Sequence, residues 1–453
     1  MHQFEKSPGL FRKRFYWLWL TSIAGCTFIL YLMLASEGTH SHDEIGHFLI
    51  SRDAWAFPEL MMDPWGRFLH TVLYMIPARW GLTAARIFSL ILSLGTVYFA
   101  ICTARKLRIY YWFLVPLFLF FQPWFADLSF LNITQIPFML LMIVIVWLFI
   151  TRRWGAAAFI SGLLPLLRHE GIALAGLLFL YLMYQKKWKA GVLAFIPMLA
   201  YNATAFFWID QLPLNIFGDT VPNTIYGSGN WYHFLIRLPH PQAVGIPLML
   251  LAVLGLPKIL KSKQLIIISL WYVSYMVLHS VIFMFGLFAS GGYKFFLLPM
   301  APAFAVLACL GFQQLGEWLD GFDAIRFKTG LKMGVLLTVF IWCVIFVRPH
   351  ELTPGEKAVK KAASWIQNHN LQNQVEAAAH VYLFYFLPRQ INPQTLWESF
   401  EPPEKMESSS LVIWDKQYSN RWGLEKSYFE ARSSSWKDVA SFGDSYCVIY
   451  QKL

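Results

Sequence analysis

Charged side chains are scarce in this sequence of 453 residues. Asp, Glu, Lys and Arg make up 14% of the chain, whereas soluble proteins carry about a quarter. Hydrophobic residues make up 57% of the chain, and its mean hydropathy is +0.47. This composition excludes an ordinary soluble domain. Apolar runs recur from Phe15 to Val347 without the alternation of a membrane β-barrel, so we expect a polytopic helical membrane protein.

Cysteine is also rare, and its spacing excludes a disulfide framework or a zinc site. The five cysteines are isolated from one another: Cys26, Cys102, Cys309, Cys343 and Cys447. The first apolar run lacks a small-residue cleavage site, so we expect it to be a retained anchor rather than a signal peptide. The two halves show no repeat or inverted symmetry, which disfavours a secondary transporter.

The net charge of +11 does not indicate a nucleic-acid partner. Most Lys and Arg residues lie in short clusters between apolar runs, which is the pattern that orients a membrane protein. The cluster Arg12 to Arg14 predicts a cytoplasmic N-terminus. Alternating the loops from there predicts an α-helical protein with about 11 transmembrane helices.

The composition changes at Arg348. We therefore predict a transmembrane catalytic domain over residues 1–348 and a small α/β domain over residues 349–453, which the odd number of spans places outside the cell. The stretches LVIWD and YCVIYQ are typical of strands, and EKAVKKAASWIQNH is typical of a helix. The apolar face of that helix carries Val359, Ala362, Ala363 and Ile366.

The first predicted outer loop is dense in groups that can do chemistry. It reads SEGTHSHDEIGHFLISRDAWAFPELMMDPWGRFLH and holds the adjacent carboxylates Asp43 and Glu44. Ionisable groups are costly near a bilayer unless they face water or a substrate. The loop also contains His40, His42, His47, Arg67 and His70. Its second half, from Trp65 to Pro77, is amphipathic enough to lie along the membrane surface.

Single cations occur on the predicted outer side, where topology does not require them. They are Arg168 in LLRHEG, Arg237, and Lys294 after a Gly-Gly pair. We expect these residues to hold an anion. The second outer loop, PWFADLS, adds Asp127.

These motifs, SHDEIGH, PWFADLS, LLRHEG and GGYKFFLLPMAP, together resemble those of the GT-C superfamily of membrane glycosyltransferases. The last is similar to a segment in which an Arg is frequent at the position of Lys294. The resemblance covers nearly the whole chain and implies a polyprenyl-phosphate-linked sugar donor, as in mannosyl- and aminoarabinose-transferases. It further implies a lipid, glycan or protein acceptor and a location in a bacterial inner membrane, with the active site and the C-terminus outside.

The chemistry of such a donor requires few groups. A sugar on a lipid phosphate already has a good leaving group, so one base and some cations suffice, unlike the two-carboxylate arrangement of glycoside hydrolysis. We expect Asp43 to be the base of an inverting transfer, with Glu44 as a second catalytic or acceptor-binding carboxylate. The predicted substrate-binding residues are His47, Arg67, Asp127, Arg168, Glu170, Arg237, Tyr293 and Lys294.

Each assignment has a plainer alternative. Asp43 could be a helix N-cap, and Arg168 and Glu170 could form a structural ion pair. Lys294 could reach the interface without binding anything. The sequence identifies no cofactor with certainty, and His40, His42, Asp43 and His47 leave room for a divalent metal ion. For the whole protein, the alternative is a polytopic transporter or a flippase for lipid-linked sugars.

Overall fold

The computed structural model describes residues 8–209, 226–287, 290–321, 325–387 and 406–453. From hydropathy and the basic clusters we also predict an outer loop from about Asp210 to His240, and its first part, residues 210–225, lies outside the described residues.

The fold is mostly helical, with one small sheet. In chain order the helices are α1 (Pro8–Ala35), α2 (Asp43–Asp53), α3 (Phe68–Arg79), α4 (Leu82–Lys106), α5 (Val115–Phe120), α6 (Pro123–Leu128), α7 (Gln135–Ile150), α8 (Trp154–Ser161), α9 (Gly171–Tyr184), α10 (Trp188–Val192), α11 (Ile196–Ile209), α12 (His233–Arg237), α13 (Ile246–Ile259), α14 (Lys263–Met284), α15 (Ala301–Leu319), α16 (Ile325–Phe346), α17 (Pro354–Asn368), α18 (Val381–Phe386), α19 (Tyr418–Arg421) and α20 (Lys426–Glu430). The strands are β1 (Val375–Ala378), β2 (Leu411–Asp415), β3 (Trp436–Phe442) and β4 (Cys447–Lys452).

The chain divides into two compact units. One unit comprises Met1–Ala35 and Arg86–Pro349, and we call it the helical unit. The other comprises Ser36–Ala85 and His350–Leu453, and we call it the mixed unit. The first predicted outer loop thus belongs with the C-terminal segment. The division into domains 1–348 and 349–453 stays a prediction.

Six helical segments in the described part of the chain are long and apolar enough to cross a membrane. They are Arg12–Ala35, Leu82–Lys106, Trp188–Trp208, Lys263–Met284, Lys294–Leu319 and Phe327–Phe346. Four shorter apolar segments are Gln135–Ile150, Trp154–Leu166, Gly171–Tyr184 and Ile246–Ile259. A fold of many apolar helices is confirmed, whereas the count of about 11 spans stays a prediction.

The apolar region between Arg108 and Leu128 is broken rather than continuous. A 3₁₀ turn at Trp112–Leu114 leads into α5, which has only six residues, and α6 follows after a bend at Gln122. Pro116 and Pro123 lie in the first turns of these two helices. Proline is accommodated at a helix start but interrupts a helix interior, so the two prolines account for the division into short pieces.

Close packing of α13 against α15 gives the helical unit part of its core. A methyl group on Gly311 would overlap the carbonyl oxygen of Leu251, and a methyl group on Gly255 would lie 2.5 Å from the carbonyl oxygen of Leu307. Small residues let two membrane helices approach until their backbones touch, which increases dispersion contacts where the hydrophobic effect contributes little. The two glycines therefore fix the distance between α13 and α15.

The sheet of the mixed unit has the order β1-β2-β4-β3. β1 pairs in parallel with β2, and β4 pairs antiparallel with both β2 and β3. One side of the sheet packs around a core that includes Trp414, Phe429 and Trp436. The strands at LVIWD and YCVIYQ are confirmed.

Helix α17 confirms the helix predicted at EKAVKKAASWIQNH. Its predicted apolar face, Val359, Ala362, Ala363 and Ile366, is buried with at most 1% exposure. The C-terminal segment therefore has the small α/β fold that its composition predicted.

We expect Gly311→Ala to destabilise the protein, because the added methyl group would force α13 and α15 apart. Gly334→Ala on α16 is the matched control, since a Cβ there meets no atom within 4 Å. That substitution should leave stability unchanged or raise it by about 0.4–1 kcal/mol through the helix propensity of alanine. Unfolding temperatures in detergent would measure both effects. Equal temperatures for the two variants would contradict the packing argument.

Candidate active site

Asp43 is the first residue of α2, not its N-cap. His42 occupies the N-cap position and makes no side-chain capping bond, while the backbone N–H of Asp43 donates to the Ser41 hydroxyl at 3.2 Å. The N-cap position considered for Asp43 is thus occupied by His42, although Asp43 still begins the helix. A carboxylate in a first helical turn interacts favourably with the helix dipole. Asp43 is partly exposed, whereas Glu44 is 0% exposed.

His42 lies in a cluster of polar aromatic side chains within the mixed unit. Its Nε2 atom is 3.2 Å from a carboxylate oxygen of Glu356. Its ring makes edge-to-face contacts with His380 and Tyr418, at centroid distances of 5.0 and 4.8 Å. The residue just before Asp43 is thus held on several sides by the C-terminal segment.

Glu356 also forms the capping box of α17. It accepts a hydrogen bond from the backbone N–H of Thr353 at 2.7 Å, and its own N–H donates to the Thr353 hydroxyl at 3.2 Å. Burial alone would raise the pKa of Glu356, but the bonds from His42 and Thr353 hold the pKa below its usual value. An ionised carboxylate in this position stabilises both the helix start and the position of His42.

His380 is buried, with 1% exposure. Neither of its ring nitrogens has a hydrogen-bond partner among the described residues. Burial and the neighbouring His42 lower the pKa of His380 well below its usual value. His380 is therefore neutral at physiological pH.

Tyr418 lies within electrostatic reach of Asp43. Burial raises the pKa of Tyr418, and the negative charge of Asp43 raises it further. The turn that carries Tyr418 is anchored by Asp415 at the end of β2, which accepts from the backbone N–H groups of Gln417 and Tyr418. A protonated phenol beside a carboxylate can donate a hydrogen bond to it.

His47 lies farther along α2 in a separate aromatic stack. Its ring stacks on Trp65 at 4.4 Å and contacts His70 at 4.9 Å. Arg67 occupies the turn before α3, with φ of 63°, and its guanidinium donates to the carbonyl of Pro64 at 2.7 Å. Helix α3 begins at Phe68, within the amphipathic stretch predicted to follow the membrane surface. Substrate contacts of His47 and Arg67, and the alternative of a divalent metal ion, stay predictions.

Arg168 and Glu170 form an ion pair in the helical unit. A guanidinium nitrogen lies 2.7 Å from the Glu170 carboxylate, and another donates to the Thr134 hydroxyl at 3.1 Å. His279 on α14 is 3.5 Å from the same carboxylate. This pairing is the structural alternative considered for LLRHEG, and contact of either residue with a substrate stays a prediction.

Charge complementarity keeps Glu170 ionised. Burial would raise its pKa, but the Arg168 guanidinium and His279 hold the pKa far below its usual range. The next residue, Gly171, packs against the backbone of Leu164 so closely that a Cβ there would overlap it. Glycine is therefore required at this position for the close approach to the backbone of Leu164.

The Gly-Gly pair before Lys294 makes the predicted sharp turn. Gly291 and Gly292 have φ of 59° and 63°, a region that favours glycine. The Lys294 ammonium group donates to the side-chain oxygen of Gln242 at 2.9 Å. Tyr293 is 43% exposed and stacks on Phe295 with ring centroids 5.3 Å apart.

Lys294 and Arg237 create a positive potential in the same region. Burial lowers the pKa of His240, and the charges of Lys294 and Arg237 lower it further. Asp127 adds one carboxylate that interacts electrostatically with Lys294. Two cations against one carboxylate can hold an anion.

The residues predicted from sequence thus fall into two groups. Asp43, Glu44, His47 and Arg67 belong to the mixed unit, and Asp127, Arg168, Glu170, Arg237, Tyr293 and Lys294 belong to the helical unit. The sequence analysis missed Glu356, His380 and Tyr418. Glu356 could have been found, because T-P-G-E before a helix is a capping-box pattern. His380 and Tyr418 lie in apolar or irregular stretches that carry no such pattern.

The fold is similar to that of ArnT, which confirms the polytopic helical fold with a small C-terminal α/β domain that the sequence predicted. The crystal structure of ArnT, an aminoarabinose transferase, from Cupriavidus metallidurans bound to undecaprenyl phosphate aligns with a TM-score of 0.64 and 14% identity, over 96% of this chain and 98% of that chain. The apo state of the same protein aligns with a TM-score of 0.64 and 13% identity over the same shares. An apo oligosaccharyltransferase from Archaeoglobus fulgidus aligns over 87% of this chain and 62% of that chain with a TM-score of 0.48 and 12% identity. No protein-family model and no curated protein matches the sequence.

The buried neutral His380 predicts a pH dependence of stability. An unfolded histidine has a pKa of about 6.5, and the folded pKa of His380 is lower. The stabilisation is complete above about pH 6.5 and is lost as the pH falls towards the folded pKa, by up to about 1.4 kcal/mol per pH unit. His380→Gln should flatten this part of the unfolding-temperature profile between about pH 7.5 and 5.5.

His369→Gln, on the exposed end of α17, is the matched control and should keep the wild-type slope. Glu356 does not confound the measurement. Its pKa is lowered, so its contribution is complete above the unfolded glutamate value of about 4.3. A wild-type slope in His380→Gln would refute the assignment.

Proposed function

We propose that this protein is a membrane glycosyltransferase that moves one sugar from a polyprenyl-phosphate donor to an acceptor, with inversion. The observation that carries the proposal is the carboxylate of Asp43, in a chain whose fold is similar to that of ArnT. Asp43 is partly exposed at the start of a helix, whereas the neighbouring carboxylate, Glu44, is fully buried. The alignment with ArnT bound to undecaprenyl phosphate supports a lipid-phosphate donor of this class.

The proposed transfer needs one base. The Asp43 carboxylate takes the proton of the acceptor hydroxyl. At the same time the oxygen of that hydroxyl forms a bond to the anomeric carbon. The bond between that carbon and the phosphate oxygen breaks, and the polyprenyl phosphate leaves with the electron pair. Glu44 is 0% exposed, so we assign it to holding the loop rather than to contact with the acceptor.

Groups around Asp43 support its role as a base. The phenol of Tyr418 remains protonated and can donate to the carboxylate, and His42 fixes the chain immediately before it. A general base must be held in one orientation to reach the proton that it removes. The close contact between the Glu356 carboxylate and Nε2 of His42 supports that orientation.

The leaving phosphate needs positive charge. We propose that Lys294 and Arg237 bind this phosphate. The charges of both residues lower the pKa of His240, as a positive potential in this region would. Gln242 holds the Lys294 ammonium group, which limits the freedom of a long side chain. A preorganised cation stabilises charge that develops on a leaving group more than a mobile one does.

The basic clusters support an orientation with the N-terminus in the cytoplasm and Asp43 on the opposite side of the membrane. We place the protein in a bacterial inner membrane, with its active site and C-terminus on the extracytoplasmic side. The acceptor would be a lipid, a glycan or a protein.

We expect Asp43→Asn to lower the transfer rate about 10²–10⁴-fold, because asparagine keeps the size of the side chain but cannot take the proton. The unfolding temperature should stay within a few degrees of wild type. Transfer from a synthetic polyprenyl-phosphate sugar to a membrane extract, with the purified protein in liposomes, would measure the rate.

Glu44→Gln is the matched control, one residue away and fully buried. We expect it to lower the unfolding temperature while keeping most of the rate per folded molecule. Near wild-type turnover in Asp43→Asn would remove Asp43 from catalysis and direct attention to Glu44 or Asp127.

Lys294→Gln should weaken use of the donor about tenfold or more, since loss of a charge-assisted hydrogen bond to phosphate costs about 1.5–3 kcal/mol. Arg237→Gln should act in the same direction. Lys258→Gln is the control, because Lys258 pairs with Glu317 at the end of α15. Donor kinetics that are unchanged in both variants would reassign Lys294 and Arg237 to interfacial positioning.

A further inference from the structure

A cavity of about 270 Å³ lies in the helical unit, and none of the residues assigned to transfer lines it. Helices α1 and α16 and the segment before α5 supply most of its wall. Its lining includes three cations, Lys13, Arg14 and Lys332, and among the described lining residues no carboxylate. Aromatic and aliphatic side chains form the rest, including Trp17 and Phe312. The cavity therefore combines positive charge with an apolar wall.

The cations are held in place. The Arg14 guanidinium lies over the ring of Tyr110, 4.4 Å from its centroid, which fixes a side chain that would otherwise be mobile. Gly316 on α15 leaves space for Lys332, because a Cβ at Gly316 would lie 3.3 Å from the Lys332 ammonium nitrogen and 3.5 Å from the Tyr111 hydroxyl. The Lys332 ammonium group and that hydroxyl are therefore close to the same small area of α15.

Two carboxylates, Asp320 and Glu317, do not line the cavity but interact electrostatically with its lining residue Tyr111. Partial burial raises the pKa of Tyr111, the charges of Asp320 and Glu317 raise it further, and Arg14 opposes them. The carboxylate of Glu317 is bound to Lys258. The three lining cations thus exceed the remaining acidic charge, and an anion in the cavity would meet a net positive potential.

The apolar wall continues onto a surface typical of contact with membrane hydrocarbon. On α16 the side chains of Phe327, Met333 and Leu337 are 58%, 43% and 55% exposed. Met333 also lines the cavity. A ligand can therefore satisfy the cations with one end and follow the exposed apolar side of α16 with the other.

We propose that this cavity binds the headgroup of an anionic phospholipid, with its phosphate at Lys332 and Arg14 and the start of an acyl chain against the apolar wall. Basic pockets between membrane helices on the cytoplasmic side recognise such headgroups, and the predicted orientation puts Lys13 and Arg14 on that side. A free phosphate would satisfy the cations and leave the apolar wall uncovered. The inference does not depend on the proposed transferase activity.

Native mass spectrometry of the purified full-length protein would test it. The probes are phosphatidylglycerol and phosphatidylcholine with the same acyl chains, and sodium phosphate at millimolar concentration as a competitor. We expect one phosphatidylglycerol to bind in preference to phosphatidylcholine. Lys332→Gln and Arg14→Gln should each weaken its binding about fivefold, and Lys332→Arg should restore most of the affinity.

The control is Lys186→Gln with Lys187→Gln, two basic residues in the loop after α9 that do not line the cavity. It should bind phosphatidylglycerol as the wild type does. Equal loss in the control, equal binding of phosphatidylcholine, or full displacement by inorganic phosphate would each overturn the proposal.

A measurement on the wild type covers the case in which a variant does not fold. Phosphatidylglycerol with a photoreactive group near the glycerol end of its acyl chain should form adducts with residues of the cavity, such as Trp17 and Met333. Adducts distributed over the other apolar helices without enrichment there would overturn the proposal.

Discussion

The two sequence segments of the mixed unit are joined at the buried carboxylate of Glu356. Glu356 is 3% exposed, and burying an ionised group is costly unless each oxygen has a partner. One oxygen accepts from the backbone at Thr353 and the other faces His42. These partners join two parts of the sequence that are more than 300 residues apart, and removing either would leave a buried charge without compensation, a change that costs about 3–5 kcal/mol in other proteins.

Backbone contacts extend the same junction. The N–H of Gly38 donates to the carbonyl of His350 at 2.8 Å, and the N–H of His350 donates to the Ser36 hydroxyl at 2.9 Å. A Cβ on Gly38 would overlap the backbone of Glu351, so glycine is required for this approach. The first loop is therefore ordered by the C-terminal segment rather than by its own local structure. Its helix α2 has a mixed composition that would not be stable alone at 11 residues.

Features encoded by local pattern could be predicted from the sequence. Helix α17 has regular apolar spacing, the strands β2 and β4 are short apolar runs, and the Gly-Gly pair predicts the turn before Lys294. Each depends on neighbours within a few residues. The breaks at Pro116 and Pro123 were also encoded locally, but hydropathy over a long window gives the prolines too little weight.

Features encoded by long-range contact could not be predicted. Nothing in the stretch that contains His380 indicates that its ring would be buried against His42, because periodicity reports which face is apolar and not what covers it. The same limit applies to basic residues. Lys13, Arg14 and Lys186 all follow the rule that basic residues orient a membrane protein. Only the fold shows that Lys13 and Arg14 line a cavity, whereas Lys186 lies in a loop.

The arrangement around Asp43 has a consequence for the division of the chain into a catalytic and an accessory part. Composition places that division at Arg348, which leaves the C-terminal segment without a role in chemistry. The contacts of His42 with Glu356, His380 and Tyr418 argue otherwise, because every one of these partners follows that boundary. If Asp43 acts as a base, its orientation is set by the sheet and by α17. The C-terminal segment is then part of the catalytic machinery, and sequence changes in it would alter the geometry of the base without touching a substrate.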